Sequence, residues 1–168
     1  MTSKKILNKT VCVVGLGYVG LPLAEAFAEH LRTIGYRRDI KKVNELNKTP
    51  GNKIEATTDP AMIKKADFVI IAVPTPVTKA KDPDMEPVIS ASETVGKNLK
   101  KGAIVVLEST FYPGVTEEIM GPILEQESGM KCGRDFLSGI RRNAPIPGTR
   151  KTPFPLFTRL FPAWKSRH

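Results

Sequence analysis

Three glycines near the start of the chain have a spacing that suits the binding of phosphate groups by the main chain. Gly15, Gly17 and Gly20 fit the pattern G-x-G-x-x-G, after a β-branched run at residues 10–14 and before a helical segment. The first glycine would allow a tight turn, the second would let a diphosphate approach the backbone, and the third would let helix and strand pack closely. The helix N-terminus would then present free N–H groups to the phosphates. We therefore predict a dinucleotide site at Gly15, Leu16, Gly17, Tyr18, Val19 and Gly20.

An acidic residue after the second strand usually binds the ribose hydroxyls of such a cofactor, about 20 residues beyond the glycines. The candidate is Asp39, which follows Arg37 and Arg38. If Asp39 meets the ribose, the cofactor is NAD. If either arginine points there, a 2′-phosphate is favoured and the cofactor would be NADP. A third interpretation makes the arginines a solvated helix entry. We predict NAD bound through Asp39, with NADP left open because of the two arginines.

The elements that must position these residues alternate between strand-like and helix-like patterns. Apolar runs of strand length lie at residues 10–14, 31–36, 68–73 and 103–107, and a further strand begins at 136–137. Helical patterns lie between them, at residues 18–30, 39–47, 60–65, 88–99 and 113–127. Strands that are apolar throughout are typical of parallel pairing with both faces covered. The alternation predicts an α/β fold, a Rossmann-like doubly wound parallel sheet that is truncated and followed by an irregular basic tail.

The net charge of +9 suggests a nucleic-acid ligand, but most of it lies at one end of the chain. Residues 138–168 contain seven Lys and Arg and no acid, whereas residues 1–137 carry 19 basic and 17 acidic side chains. A nearly neutral body does not indicate a surface that follows phosphates, and the tail shows no ordered nucleic-acid motif. We predict a cofactor domain at residues 1–137, a tail at 138–168 and no nucleic-acid partner.

Composition also argues against a membrane or secreted protein. The sequence has no stretch of about 18 apolar residues and no apolar region of a secretory signal, so we expect a cytoplasmic protein without membrane contact. Cys12 and Cys132 are 120 positions apart, which suits neither a metal-binding pair nor a disulfide framework. We therefore predict no metal site.

Three motifs in order resemble the nucleotide-sugar 6-dehydrogenases, the UDP-glucose/GDP-mannose dehydrogenase family. They are VVGLGYVGLPLA at residues 13–24, AVPTP at 72–76 and LESTFYPGVT at 107–116. The third is most similar to the branch that acts on UDP-N-acetylhexosamines. The resemblance covers about residues 8–137 and implies the amino-terminal NAD-binding domain.

The resemblance implies oxidation of the C6 alcohol of a UDP-N-acetylhexosamine, or of UDP-glucose, to the uronate for polysaccharide biosynthesis. The family passes two hydrides to NAD, through a thioester on a cysteine. By position, Thr75 would line the cofactor, and Ser109 and Thr110 would lie near the nicotinamide. Thr110 would be catalytic, holding a water or steadying an oxyanion. The alternative for Ser109 and Thr110 is a helix cap before Pro113.

The family's nucleophilic cysteine lies in a later domain, so we expect this chain alone to be inactive. Cys12 lies within the first strand and is expected to be a small core residue, and Cys132 is not assigned as a nucleophile. The resemblance also implies that intact members are homo-oligomers. Two alternatives are a stand-alone dinucleotide-binding module that works with a separate chain, and a nucleic-acid binder with a basic tail.

The tail differs from the family after the last predicted strand. The family reads Gly-Tyr-Ser-Pro-Glu-Arg-x-Asn-Pro-Gly-Asp-Lys-Glu there, whereas residues 138–151 read SGIRRNAPIPGTRK. Joining the last base of each codon to the first two of the next can recover twelve of the family residues from this segment. We interpret the tail as the product of a frameshift near residues 137–138, which the nucleotide sequence across codons 136–152 would test.

Overall fold

The computed structural model describes residues 8–74, 76, 83–108 and 115–141. Their centre is one parallel sheet made of β1 (Thr10–Val14), β2 (Arg32–Tyr36), β3 (Ile54–Thr57), β4 (Phe68–Ile71), β5 (Ile104–Glu108) and β6 (Leu137–Arg141). The strand order is β3-β2-β1-β4-β5-β6, with every neighbouring pair parallel. This is the order of a doubly wound dinucleotide-binding fold, so the predicted fold class is confirmed.

Helices cover both faces of this sheet. In the described ranges they are α1 (Gly20–Ala28), α2 (Ile40–Lys48), α3 (Glu86–Lys97) and α4 (Gly121–Ser128). A 3₁₀ turn spans Pro60–Lys65, and a π-helical turn at Thr116–Met120 leads into α4. None of these helices is long and apolar enough to cross a membrane.

The two helical layers explain why the central strands are apolar on both sides. In β1, Cys12 and Val14 join the core formed with α3 and α4, whereas Val11 and Val13 join the core formed with α1 and α2. Alternate side chains of a strand point to opposite faces, and here both faces are buried. The expectation that Cys12 is a small core residue is confirmed, since its side chain is fully buried.

Strand β3 is absent from the sequence prediction. It is only four residues long, and it alternates between buried Ile54 and Ala56 and less buried neighbours. On its outer edge, the side-chain amide of Asn47 donates to the Ala56 carbonyl at 2.9 Å and accepts from the Ala56 N–H at 3.2 Å. Asn52 makes the same pair of bonds to Ile54, at 3.0 and 2.9 Å. Two asparagines thus take the place of another strand.

The last strand also differs from the prediction. A strand was expected to begin at Phe136, with the domain ending at residue 137. Instead β6 continues to Arg141 and pairs with β5 from Leu137 opposite Ile104 to Arg141 opposite Glu108. The predicted boundary therefore falls inside a strand, and the first four residues of the predicted tail belong to the sheet. Residues 142–168 lie outside the described residues.

Asp67 directly precedes β4 and forms hydrogen bonds with the first residues of β1 and β5. Its Oδ1 accepts from Lys9 Nζ at 3.0 Å and from Lys100 Nζ at 2.8 Å, and its Oδ2 accepts from the Thr10 N–H at 3.0 Å. Its backbone N–H donates to the Thr10 carbonyl, and its carbonyl accepts from the Ile104 N–H. Burial alone would raise the pKa of Asp67, but the hydrogen bonds from Lys100, Thr10 and Lys9 lower the pKa to about 2.

Asp67→Asn is expected to lower the free energy of unfolding at pH 7 by about 1–2 kcal/mol, because a neutral amide leaves two lysines without their shared counter-charge. The folded pKa lies below the ordinary value of 3.8, so this stabilisation is present above that value and is lost as the pH falls toward 2. Urea unfolding at several pH values would measure it, with Glu45→Gln on the exposed side of α2 as the control. A difference that stays constant from pH 7 to pH 2.5 would contradict the argument.

Candidate functional site

A cleft of about 320 Å³ opens at the carboxyl-terminal edge of the sheet. Its walls are the glycine loop after β1, the residues after β2, Val73 and Pro74 after β4, and the side of α3 that carries Ser90 and Thr94. β2 and β3 lie on one side of β1, and the chain then crosses to β4 on the other side of β1. The cleft lies at this point, where the strand order reverses. Doubly wound sheets bind their ligands at this point.

The first and third glycines of the motif are required by the fold. Gly15 has a φ of +100°, its N–H donates to the Tyr36 carbonyl at 3.0 Å, and a Cβ there would lie 2.7 Å from the Ala72 carbonyl oxygen. A Cβ on Gly20 would lie only 1.8 Å from the Gly15 carbonyl oxygen. Backbone therefore approaches backbone at both positions, as the tight turn and the close helix–strand packing predict.

Gly17 behaves differently. It lines the cleft, and a Cβ at this position would meet no atom of the described residues within 4 Å, apart from its chain neighbours. The part of the chain that the structure describes thus leaves room for a side chain at the second glycine. The space beside it is available to a ligand.

The N-terminus of α1 carries neither a capping side chain nor an acid. Val19 is at the N-cap and makes no side-chain cap hydrogen bond, and the first turn contains no acidic residue. Tyr18 is fully exposed and Val19 is half exposed, whereas Leu16 is buried against the position of Gly35. A helix start that lacks a capping side chain and an acid can receive an anionic ligand.

Asp39, the predicted ribose ligand, lines the cleft but is also the N-cap of α2. Its Oδ1 accepts from the N–H groups of Lys41 at 3.0 Å and Lys42 at 3.2 Å. The Lys42 hydrogen bond has the largest effect on the pKa of Asp39, and burial opposes it. Together with the Lys41 hydrogen bond and the charges of Arg37 and Lys42, it holds that pKa below its usual value. The carboxylate is therefore charged, and one of its oxygens is directed toward α2.

Both arginines line the cleft as well. Arg37 is half-buried, its backbone N–H donates to the Thr57 carbonyl at 3.0 Å, and its Nη1 donates to the Leu16 carbonyl in the glycine loop. Arg38 is exposed, and its Nη1 donates to Ser90 Oγ on α3 at 3.3 Å. The interpretation of the pair as a solvated helix entry is therefore wrong for Arg37, which is bonded to the loop.

Sequence reasoning missed the contribution of α3. Ser90, Ala91 and Thr94 line the wall opposite the glycine loop, and Thr94 Oγ1 donates to the Ser90 carbonyl at 2.9 Å. Hydroxyl residues four positions apart on one helix face are the available signal, but they do not indicate which cleft the face borders.

Three predicted site residues, Thr75, Ser109 and Thr110, lie outside the described residues. Their predicted roles stay predictions. The chain positions of Ser109 and Thr110 follow directly on β5, which ends at the buried Glu108.

Neither cysteine lines the cleft. Burial raises the pKa of the Cys12 thiol to about 12, which keeps it protonated and unreactive. Cys132 is exposed, with its Sγ 3.2 Å from Ser138 Oγ. In the part of the chain that the structure describes, no group of three or more His, Cys, Asp or Glu is placed to hold a metal ion.

Comparison with known proteins agrees with this geometry. The model of the UDP-glucose/GDP-mannose dehydrogenase family, NAD binding domain, matches residues 46–139. Protein CapL from Staphylococcus aureus is 43% identical over 166 residues, covering 92% of this chain and 39% of the relative. UDP-N-acetyl-D-glucosamine 6-dehydrogenase from Salmonella typhi is 41% identical over 154 residues, covering 84% of this chain and 36% of the relative.

The same relationship is visible in three dimensions. The solved structure of UDP-D-ManNAc dehydrogenase from Pyrococcus horikoshii superposes with a TM-score of 0.73 at 30% identity, over 83% of this chain and 37% of that chain. The chain thus spans between a third and two fifths of the length of these relatives. With the parallel sheet, the glycine loop and the matched family model together, the chain belongs to the UDP-glucose/GDP-mannose dehydrogenase family, as its NAD-binding domain.

Proposed function

We propose that the chain is the cofactor-binding part of an NAD-dependent dehydrogenase that oxidises the C6 alcohol of a UDP-N-acetylhexosamine to the uronate, for polysaccharide biosynthesis. The observation that carries the proposal is the open space beside Gly17 at the uncapped start of α1, in a cleft at the switch point of the sheet. Relatives named UDP-N-acetyl-D-glucosamine 6-dehydrogenase and UDP-N-acetyl-D-mannosamine dehydrogenase support the substrate class over UDP-glucose.

The residues of the cleft fit the parts of a dinucleotide. Backbone N–H groups of the loop after Gly15, from Leu16 to Gly20, would hold the diphosphate, in line with the dipole of α1. Asp39 and the residues after β2 would hold the adenosine ribose, beside Ser90 and Thr94. The nicotinamide ring supplies a hydride acceptor when bound. Thr75, Ser109 and Thr110 are proposed to line its end of the site, with Thr110 catalytic.

The proposal assigns binding, and not turnover, to this chain alone. Cys12 is buried in β1, and Cys132 does not line the cleft, so neither is placed to form a thioester there. The cysteine would come from a part of the enzyme beyond the segment shared with the relatives, or from a separate chain. The second case is the stand-alone module. We propose that the intact enzyme is a cytoplasmic homo-oligomer.

The boundary of the domain is part of the proposal. We place it at the end of β6, because the sheet continues through Arg141. The frameshift hypothesis for the tail stays a prediction. The match to Protein CapL covers 92% of the chain and so continues past residue 137, which makes the nucleotide sequence the decisive test.

Two measurements on the purified chain test the function. Isothermal titration calorimetry with NAD should give saturable heat with one site per chain. Absorbance at the NADH wavelength, with NAD and either UDP-N-acetylglucosamine or UDP-N-acetylmannosamine, should show no turnover. Absence of heat with NAD and NADP, on protein shown to be folded by circular dichroism, would overturn the proposal. Turnover by the chain alone would overturn the assignment of the chemistry to another part.

A further inference from the structure

The position that usually discriminates between the two nicotinamide cofactors is occupied here by an arginine. An acid at the end of β2 binds the ribose hydroxyls and repels a 2′-phosphate, whereas an arginine accommodates that phosphate. β2 ends at Tyr36, whose carbonyl is held 3.0 Å from the Gly15 N–H, so the next residue lies beside the glycine loop. That residue is Arg37, and the acid comes two positions later.

Arg37 is well placed for a phosphate on the ribose. Its backbone is fixed by the bond to the Thr57 carbonyl, and its guanidinium is fixed by the bond to the Leu16 carbonyl. A guanidinium carries five N–H donors in a planar fork, and the Leu16 bond uses one of them. The half-buried group therefore keeps donors for an anion while its position is already set, which reduces the entropy lost on binding.

Arg38 supplies a second cation from the same wall of the cleft. Its Nη1 donates to Ser90 Oγ and so connects the residues after β2 with α3. This hydrogen bond is 3.3 Å long and exposed, so a phosphate oxygen, which forms a stronger charge-assisted bond, can replace the Ser90 hydroxyl. The Ser90 hydroxyl would then be available to the same ligand. Two guanidinium groups and a hydroxyl thus border one end of the cleft.

Asp39 offsets only part of this positive charge. Its Oδ1 accepts from the Lys41 and Lys42 N–H groups at the start of α2. Residues 37–42 contain four basic side chains and this one acid. The N-terminus of α2 adds the positive end of its dipole. The local field therefore favours an additional anion.

We propose that this end of the cleft is a 2′-phosphate subsite formed by Arg37 and Arg38, so that the chain binds NADP at least as tightly as NAD. The proposal rests on the proposed function, since it concerns the same cofactor cleft. It makes the two arginines determinants of cofactor specificity within an NAD-binding fold.

Calorimetric titration of the full chain with NAD and with NADP tests it. We expect a dissociation constant for NADP no larger than that for NAD. In the double variant Arg37→Gln/Arg38→Gln, NADP binding should weaken by about tenfold or more, because charge-assisted bonds to the phosphate are lost, and it should weaken by a larger factor than NAD binding does. Arg38→Gln alone leaves the Arg37–Leu16 bond in place and should weaken NADP binding by about threefold.

Arg32→Gln is the matched control. It removes the same charge from the opposite end of β2, where Arg32 is exposed and paired with Glu55 at 2.9 Å, and should leave both affinities unchanged. NADP binding that is tenfold weaker than NAD binding in the unmodified chain would overturn the inference and leave the proposed function standing. Equal weakening of both cofactors in Arg38→Gln would also overturn it. Absence of binding by either cofactor would instead overturn the proposed function.

Discussion

Gly20→Ala should lower the free energy of unfolding by about 3 kcal/mol or more, enough to drive much of the chain into the insoluble fraction. The added Cβ would lie 1.8 Å from the Gly15 carbonyl oxygen and 3.2 Å from the Ala72 Cβ. The nearest of these is a backbone atom, so no side-chain rotation relieves the overlap. Either α1 moves away from the sheet or the glycine loop is distorted.

Soluble yield and urea unfolding monitored by circular dichroism would measure this effect. Gly139→Ala is the matched control: it makes the same change in the middle of β6, where a Cβ would meet none of the other described residues within 4 Å. An unfolding midpoint for Gly20→Ala that equals that of Gly139→Ala would show that α1 does not pack on β1 as closely as described.

Gly17→Ala should weaken NAD binding and leave the stability of the fold almost unchanged, the reverse of the effect at Gly20. Stability should change by less than about 0.5 kcal/mol, since the new methyl group would lie more than 4 Å from the other described residues, its chain neighbours aside. NAD affinity should fall by about tenfold or more, because the methyl group occupies the space through which a diphosphate would reach the backbone N–H groups. The two substitutions, three positions apart, would thus affect different quantities: Gly20→Ala the stability of the fold and Gly17→Ala the affinity for NAD.

Calorimetry with NAD, combined with thermal unfolding of the same preparation, distinguishes these effects. Gly139→Ala again serves as control and should bind NAD like the unmodified chain. If Gly17→Ala binds NAD with unchanged affinity, the diphosphate does not lie against this loop, and the glycine motif is a turn without a ligand.

The strands that could be predicted are those buried on both faces. β1 and β4 form continuous apolar runs because α1 and α2 cover one side and α3 and α4 cover the other. β3 could not be recognised in the same way. It lies at the edge of the sheet, and its outer hydrogen bonds go to the side chains of Asn47 and Asn52, which a period-two pattern of four residues does not reveal.

The candidate site, too, could be predicted from the sequence only in part. The glycine loop could be predicted because its spacing, the preceding strand and the following helix all lie in one continuous segment. The role of Asp39 could not be decided, because an aspartate after a strand suits both an N-cap and a ribose ligand, and here it caps α2 while lining the cleft. The reach of Arg37 to Leu16 and the presence of Ser90 depend on contacts between distant segments, which local patterns do not contain.

The two asparagines beside β3 also bear on how the sheet could be extended. Ile54 and Ala56 direct their backbone groups away from β2, and both pairs of groups are already occupied by amide side chains. A strand from another polypeptide would have to displace Asn47 and Asn52 to dock there. At the other end of the order stands β6, whose Leu137 is half exposed. Among the described strands, β6 is therefore the edge at which a further strand, from this or another polypeptide, could be added.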